Sequence, residues 1–214
     1  MLRYTHKLEE TNDRLREEND LLDAEMKLRE AQLQIDEQNR LYDQLTCDMK
    51  EQLDLLEGLL KSDRVTGRQR IAKICVLSAY MKRRSNLCLL AESEKQTSTK
   101  ELELCISESL ESMRLCNLFC SFESHCSGKT AAGELILLYD VVQQIFQQLL
   151  ADAGAVMIWL RAENDSLFLK LQSDGRLCTE FPAMERWSAA GGSFSVSCGP
   201  DAAWLILQKE GGKG

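Results

Sequence analysis

The sequence predicts an α+β protein: a long N-terminal parallel coiled coil and helical dimerisation region, followed by a small α/β sandwich. Three observations carry this. Residues 7–61 contain no Pro and a single Gly, Gly58, and repeat apolar side chains in heptads. Leu135, Leu138, Tyr139, Val142, Phe146 and Leu149 share one face of a helix. Around that helix, short alternating apolar runs are separated by Gly, Asn, Asp and Pro, the pattern of strands and turns.

The stalk reads as one continuous helix from Lys7 to Lys61. Leu8, Leu15 and Leu22 recur every seven residues with Asn12, Asn19 and Met26 between them. A second register continues through Leu28, Ile35, Tyr42, Met49 and Leu56, interleaved with Ala31, Gln38, Leu45 and Leu59. One helix cannot bury such a seam, so the repeat asks for a second helix and a left-handed coil. The change of register between Met26 and Leu28 has the form of a stutter. Asn at two core positions lowers stability but selects a two-stranded, in-register pair. The expectation is a parallel homodimer with a stalk roughly 80 Å long at 1.5 Å per residue.

Gly58 and the turn chemistry of residues 61–67 end the stalk. A second helix follows from Arg68 to about Ser93, with Ile71, Ile74, Cys75, Val76, Tyr80, Leu87 and Leu90 leaving few polar faces. It is expected to be packed on two sides. Residues 94–100 read as a polar connector, with Ser98 or Thr99 as N-cap and Glu101 at the capping-box spacing from Ser98. The next helix carries Leu102, Cys105, Ile106, Ser109, Leu110 and Met113 on one stripe.

From Asn117 the period changes to two, with Leu118, Cys120 and Phe122 alternating as in a half-buried strand. A loop through Gly128 leads into the amphipathic helix. Strands around Ile158 and Leu169 are joined at Glu163-Asn164-Asp165. Pro182 opens a short helix that Gly191 and Gly192 close. Two final strands, residues 194–198 and 203–207, flank Gly199-Pro200-Asp201, with Phe194, Val196 and Cys198 expected to complete the core. The order strand, helix, strand, strand, helix, strand, strand implies helices on one face of a mostly antiparallel sheet. The domains expected are 1–66, 67–116 and 117–214.

A net charge of −8 argues against nucleic acid as the main partner. No apolar run approaches the ~20 residues that span a bilayer, and no signal peptide is seen before the stalk. Nine cysteines at irregular spacings look like small core hydrophobes in a reducing cytosol. Several patterns have plain readings. Ser127-Gly128-Lys129-Thr130 lacks the first Gly of a P-loop, since Glu123 stands there. Cys116, Cys120, His125 and Cys126 match no standard zinc spacing, and no metal is expected. Lys82-Arg83-Arg84 reads as a solvated basic face beside the acidic stalk, with a phosphate or acidic partner as the alternative. Gln143, Gln144, Gln147 and Gln148 read as a hydrated helix face, or as the lining of a nucleotide site.

This layout resembles the cytosolic region of sensor histidine kinases, and the last hundred residues resemble their ATP-binding domain. Gln148-Leu-Leu-Ala-Asp152-Ala153 looks like the family's Glu, three residues, then Asn-Ala, whose Asn holds Mg²⁺. Ser173-Asp174-Gly175 looks like the Asp-x-Gly that reads adenine, and Gly191-Gly192-Ser193 like the Gly-Gly by which the domain re-enters its sheet. The candidate cofactor-binding positions are therefore Gln148, Asp152, Asp174, Gly175, Gly191 and Gly192. Departures from the pattern are as informative. Gln148 replaces Glu, Asp152 replaces Asn, and Ser173 replaces the adenine-reading Asp. The interval from Gly175 to Gly191 is too short for a nucleotide lid plus its helix. Only His6 and His125 are present, and Tyr42 stands where the phosphorylated His is expected. A phenol with a pKa near ~10 replaces imidazole poorly.

The resemblance implies a degenerate, cytoplasmic, homodimeric signalling protein, a pseudokinase that lacks His autophosphorylation. It would bind ATP weakly or not at all, need no cofactor, and meet a response regulator or another signalling protein of a two-component system. Membrane attachment would come only through segments outside this chain. Two alternatives stand beside this one: an active ATP-dependent kinase component acting in trans with Mg-ATP, and a coiled-coil adaptor.

Overall fold

A computed structural model describes residues 2–61, 67–94, 96–163 and 166–210 of the chain. Side chains are described from residue 14 onward, apart from 45, 48, 68 and 69. Of the heptad positions Leu8, Asn12 and Leu45 only the backbone is described, and the turn at residues 62–66 and the tip Asn164-Asp165 lie outside the described residues.

The chain divides into two compact units, 1–48 and 49–214. The first is a single helix, α1 (Leu2–Asp48). Its apolar repeat is exposed: Leu15 is 53% accessible, Leu22 55%, Leu28 72% and Ile35 51%. The helix expected to run unbroken to Lys61 is interrupted at Met49, and α2 (Lys50–Lys61) belongs to the second unit. The reason lies in what the heptad residues meet. Met49 is buried, and Leu56 and Leu59 pack against the core of the second unit. One continuous heptad pattern thus serves two different environments.

The second unit continues with α3 (Gly67–Ser93), β1 (Gln96–Ser98), α4 (Lys100–Arg114), β2 (Phe119–Cys126), β3 (Lys129–Ala131) and α5 (Ala132–Asp152). It closes with β4 (Ala155–Glu163), β5 (Ser166–Ser173), α6 (Pro182–Ala189), β6 (Ser193–Cys198) and β7 (Ala203–Lys209). α3 packs on α2, α4 and α5, so its near-continuous apolar surface has partners on more than one side. The α4 stripe forms as its spacing requires: Leu102, Cys105, Ile106, Ser109, Leu110 and Met113 are all buried. Asn117, at φ 64°, then turns the chain, a left-handed conformation that Asn tolerates better than most residues. The connector at residues 94–100 and the loop expected through Gly128 each carry a short strand. β1 and β3 pair antiparallel, Gln96 opposite Ala131, and Thr99 N–H donates to Gly128 O at 3.2 Å. The capping box is not formed: no side chain caps α4, and Ser98 Oγ accepts from Lys100 N at 3.4 Å.

The main sheet has the order β2-β4-β5-β7-β6. β2 runs parallel to β4, and the remaining pairs are antiparallel. This is the α+β arrangement expected, with helices on one face of a mostly antiparallel sheet. Alternation in β4 and β5 buries Val156, Ile158, Leu160, Leu167, Leu169 and Leu171 in one cluster with α4, α5 and α6. Beneath them the α5 stripe from Leu135 to Leu149 is fully buried. The edge strand differs from expectation. Phe194 and Val196 lie opposite buried Leu207 and Leu205, yet both are exposed, as is Cys198. α6 is only eight residues long, and its buried Ala183, Met184 and Trp187 leave that edge uncovered.

Candidate functional site

Gln148 and Asp152 stand one turn apart at the C-terminal end of α5, facing the segment that leaves β5. Together with Ala151, Arg176, Leu177 and Cys178 they line an open depression of about 510 Å³. Gly175 brings the two segments together. The position has no room for a side chain: a Cβ there would lie 2.8 Å from the Ala153 Cβ and 3.1 Å from the Asp152 Oδ1. The residue type therefore follows from close packing of the β5 exit on the end of α5.

The polar groups of this corner are committed to the fold. Asp174 Oδ1 accepts from Gly154 N and Ala155 N, both at 2.9 Å, and so ties the β5 exit to the turn that opens β4. Ser173 is buried; its hydroxyl donates to Ala155 O at 3.0 Å and accepts from Gly175 N at 3.0 Å. Gln148 Oε1 accepts from Cys178 N at 3.0 Å, which draws residues 176–178 over the helix end. Asp152 is the exposed carboxylate at the wall. Between Gly175 and Pro182 only residues 176–181 are available to cover the depression.

Gly191 and Gly192 are not part of this corner. β6 begins at Ser193, which pairs with Gln208, and Gln208 pairs with Phe168 early in β5. Asp174 follows Ser173 at the far end of that strand, so the glycines lie at the opposite end of the sheet, ~20 Å away at ~3.3 Å per residue. Their role is local. Gly191 takes φ +85° to end α6, with its N–H on Ser188 O at 3.0 Å. Gly192 lies so close to the Trp187 indole that a Cβ would come within 2.4 Å of Nε1, and that Nε1 donates to Ser193 O at 3.1 Å. Of the six candidate positions, the fold gathers Gln148, Asp152, Asp174 and Gly175.

Sequence reasoning missed a second polar centre. Asp140 is buried in the middle of α5. It accepts from Tyr80 Oη at 2.7 Å and Arg84 Nε at 2.9 Å, both on α3, and pairs with Arg186 Nη2 of α6 at 3.4 Å. Burial raises the Tyr80 phenol's pKa far above its ordinary value, and the Asp140 carboxylate adds to this. For Arg84, burial pulls the pKa down but Asp140 and Tyr80 outweigh it, so the guanidinium stays charged. The basic run on α3 is a solvated face only in part: exposed Lys82 and half-buried Arg83 both pair with Glu108 of α4, while Arg84 turns inward to Asp140. An Asp in the middle of an apolar stripe was the available signal.

The glutamine row also divides. Gln143 is buried, Gln144 Oε1 accepts from Ala183 N at 3.3 Å, and Gln148 is bonded as described. A hydrated face is left at Gln147 alone.

The cysteine and histidine run on β2 gathers no ligand set. His125 points away from the core and lies 2.9 Å from Glu163, whereas Cys120 and Cys126 face inward. Burial pushes both thiols up to about 11, which keeps them protonated at neutral pH. Among the described residues no cluster of three or more His, Cys, Asp or Glu could hold a metal. Ser127-Gly-Lys-Thr130 is the entry to β3, and Lys129 Nζ lies 3.5 Å from Glu94. No helix among the described residues is long and apolar enough to cross a membrane.

No family model and no curated protein matches the chain. Solved structures do. The chain is similar in fold to histidine kinase domains. The histidine kinase domain of the Erythrobacter litoralis EL346 blue-light activated histidine kinase is 12% identical, with 76% of this chain and 94% of that one covered, at a TM-score of 0.48. The Acinetobacter baumannii histidine kinase AdeS is 14% identical over 75% and 95%, at 0.41. The catalytic domain of histidine kinase ThkA is 14% identical over 53% and 92%, at 0.39. Likenesses this distant concern architecture alone, and the chemistry of the site rests on its own residues.

Proposed function

We propose that this chain is a cytoplasmic, homodimeric, histidine-kinase-like signalling protein that conveys a conformational signal without phosphorylating itself on histidine. The observation that carries the reading is the state of the α5–β5 corner. Gln148, Ser173 and Asp174 occupy the positions the resemblance assigns to nucleotide binding, yet each is bonded to the protein's own backbone. An adenine amine meeting Ser173 in place of a carboxylate loses a charge-assisted bond, which typically costs ~1–3 kcal/mol, a tenfold or greater loss of affinity. Six residues between Gly175 and Pro182 offer little to shield phosphates from water. Dimerisation is supported by the heptad residues of α1 such as Leu15, Leu22 and Leu28, which stay more than half exposed within one chain. A response regulator or comparable signalling protein is the partner class this reading implies.

The exposed Asp152 at the wall of the depression favours the second reading, a protein that still holds Mg-ATP and acts in trans. Thermal unfolding in millimolar Mg-ATP separates the two. A negligible shift in Tm, with no acid-labile label from radioactive ATP, is expected. Clear stabilisation that Asp152→Ala abolishes would replace the first reading by the second, and acid-labile phosphate on the chain would end it.

A further inference from the structure

The main sheet ends in β2 on one side and β6 on the other, and the protein treats these edges differently. β2 presents Glu123 and His125 to solvent, and α4 packs against it, with Arg114 Nη2 donating to Cys120 O at 3.1 Å. β6 has no such protection. Ser193 to Cys198 are all exposed, include no charged residue and no Pro, and pair with β7 without a bulge. Proteins ordinarily blunt an edge with such devices, because its unpaired N–H and C=O groups invite another strand.

The register shows which groups are free. Gly199 N donates to Ala202 O at 2.9 Å across the hairpin turn, and hydrogen-bonded pairs alternate along an antiparallel ladder. Ser197, Ser195 and Ser193 therefore bond to β7, whereas the N–H and C=O of Phe194, Val196 and Cys198 point to the open side. The side chains of these same residues stand on the face where α6 leaves them uncovered.

We propose that β6 is a docking edge for an extended segment of a partner protein, added to the sheet as an antiparallel strand. Backbone donors and acceptors at strand spacing recognise a peptide main chain, and alternate side chains then select its sequence. Apolar residues at every second position would lie beside Phe194, Val196 and Cys198, with small polar residues beside the serines. Charge specifies one end. From Ser193 to Gln208 the only charged residue is Asp201, exposed at the turn that ends β6, in a chain of net charge −8. A Lys or Arg at the N-terminal end of the segment would meet it. A second copy of β6 would bring Gly192 and Ser193 there instead, so a basic partner segment is the better complement. The proposal does not rest on the nucleotide reading of the α5–β5 corner.

The test uses the full chain and the peptide acetyl-Lys-Val-Ser-Val-Ser-Val-amide, followed by backbone amide exchange and by anisotropy of a labelled copy. In the free chain the amides of Phe194, Val196 and Cys198 should exchange fast and those of Ser195 and Ser197 slowly. Millimolar peptide should slow the fast set about tenfold or more. N-methylating the peptide's valines, whose N–H groups face β6, should abolish binding, whereas N-methylating its serines should not. Replacing its Lys by Glu should weaken binding about threefold at low salt. Val196→Pro removes a free-side N–H and no ladder bond, and should weaken binding about tenfold. Phe194→Lys, at an exposed side chain, should do the same with Tm unchanged. The proposal is overturned if millimolar peptide leaves these amides unprotected, or if the two N-methylated peptides bind alike. It is equally overturned if both variants bind as the natural chain does. Protection that rises with protein concentration alone would assign the edge to a second copy and overturn it too.

Discussion

α1 and α5 carry the same kind of pattern and meet opposite fates. In α1 the apolar residues recur every seven positions and stay more than half exposed, Leu15, Leu22 and Met26 among them. In α5 the stripe from Leu135 to Leu149 falls below 1% exposure, beneath a sheet and beside α3, α4 and α6. A heptad seam is two residues wide per turn pair and suits another helix, whereas the wider α5 stripe suits a sheet on one side and helices on the others. α2 lies between the two cases: its heptad residues Leu56 and Leu59 join the second unit's core. Periodicity states that a face must be buried, and only the fold states by what.

Truncation should produce the largest effect on this contrast. A chain beginning at Met49 retains the second unit and α2 but loses the exposed seam, and light scattering should find it monomeric while the full chain is dimeric. A truncated chain that remains fully dimeric would place the self-association in the second unit. Next comes Asp140→Ala, which leaves Arg84 in α3 and Tyr80 without their buried carboxylate. Removing one partner of such a pair costs ~3 kcal/mol or more, readable as a fall in the urea midpoint. A change within ~0.5 kcal/mol would mean that the three helices are held by apolar packing alone.

Gly175→Ala should cost ~1–3 kcal/mol, because its methyl would press on Ala153 where α5 ends. Unaltered stability would show that the β5 exit is not packed on α5 as described. The smallest effect concerns Glu108. Hydrogen bonding to Lys82 lowers its carboxyl pKa; burial opposes this and Arg83 adds to it. A carboxylate held below its ordinary value contributes stability above that value and loses it as pH falls through the lowered one. Since Lys82 is well exposed, solvent screening limits the contribution to less than ~1 kcal/mol. Glu108→Gln should therefore lower stability slightly at pH 7 and flatten its acid limb below about pH 4.5, the group's ordinary value. Parallel acid limbs for both proteins would remove Glu108 from the account.

The candidate site was legible only in part. Gln148, Asp152, Asp174 and Gly175 were identifiable only through the family motifs they resemble, and the fold brings those four together. Gly191 and Gly192 carried an equally good local pattern, but the strand register sets them at the other end of the sheet, where Trp187 requires them. Asp140 was passed over because its partners, Tyr80, Arg84 and Arg186, stand 60, 56 and 46 residues away in the chain. Gln143 was read with its neighbours as part of a polar face, and the packing of α5 into the second unit buries it.

The sequence by itself determined most of the helices and the strands of the main sheet, because a period of 3.6 or of 2 is a property of neighbouring residues. It also determined which faces of α4, α5, β4 and β5 turn inward, and where Pro182 and Gly191 bound α6. Tertiary structure alone decided that the stalk pattern changes partner at Met49, that β1 pairs with β3, and that Phe194 and Val196 remain exposed on an edge that α6 is too short to cover. It alone also committed Gln148, Ser173 and Asp174 to backbone N–H and C=O groups. Each of these depends on contacts between residues far apart in the chain, whose free energy comes from desolvation and hydrogen bonding after the elements have met, and no local pattern records that.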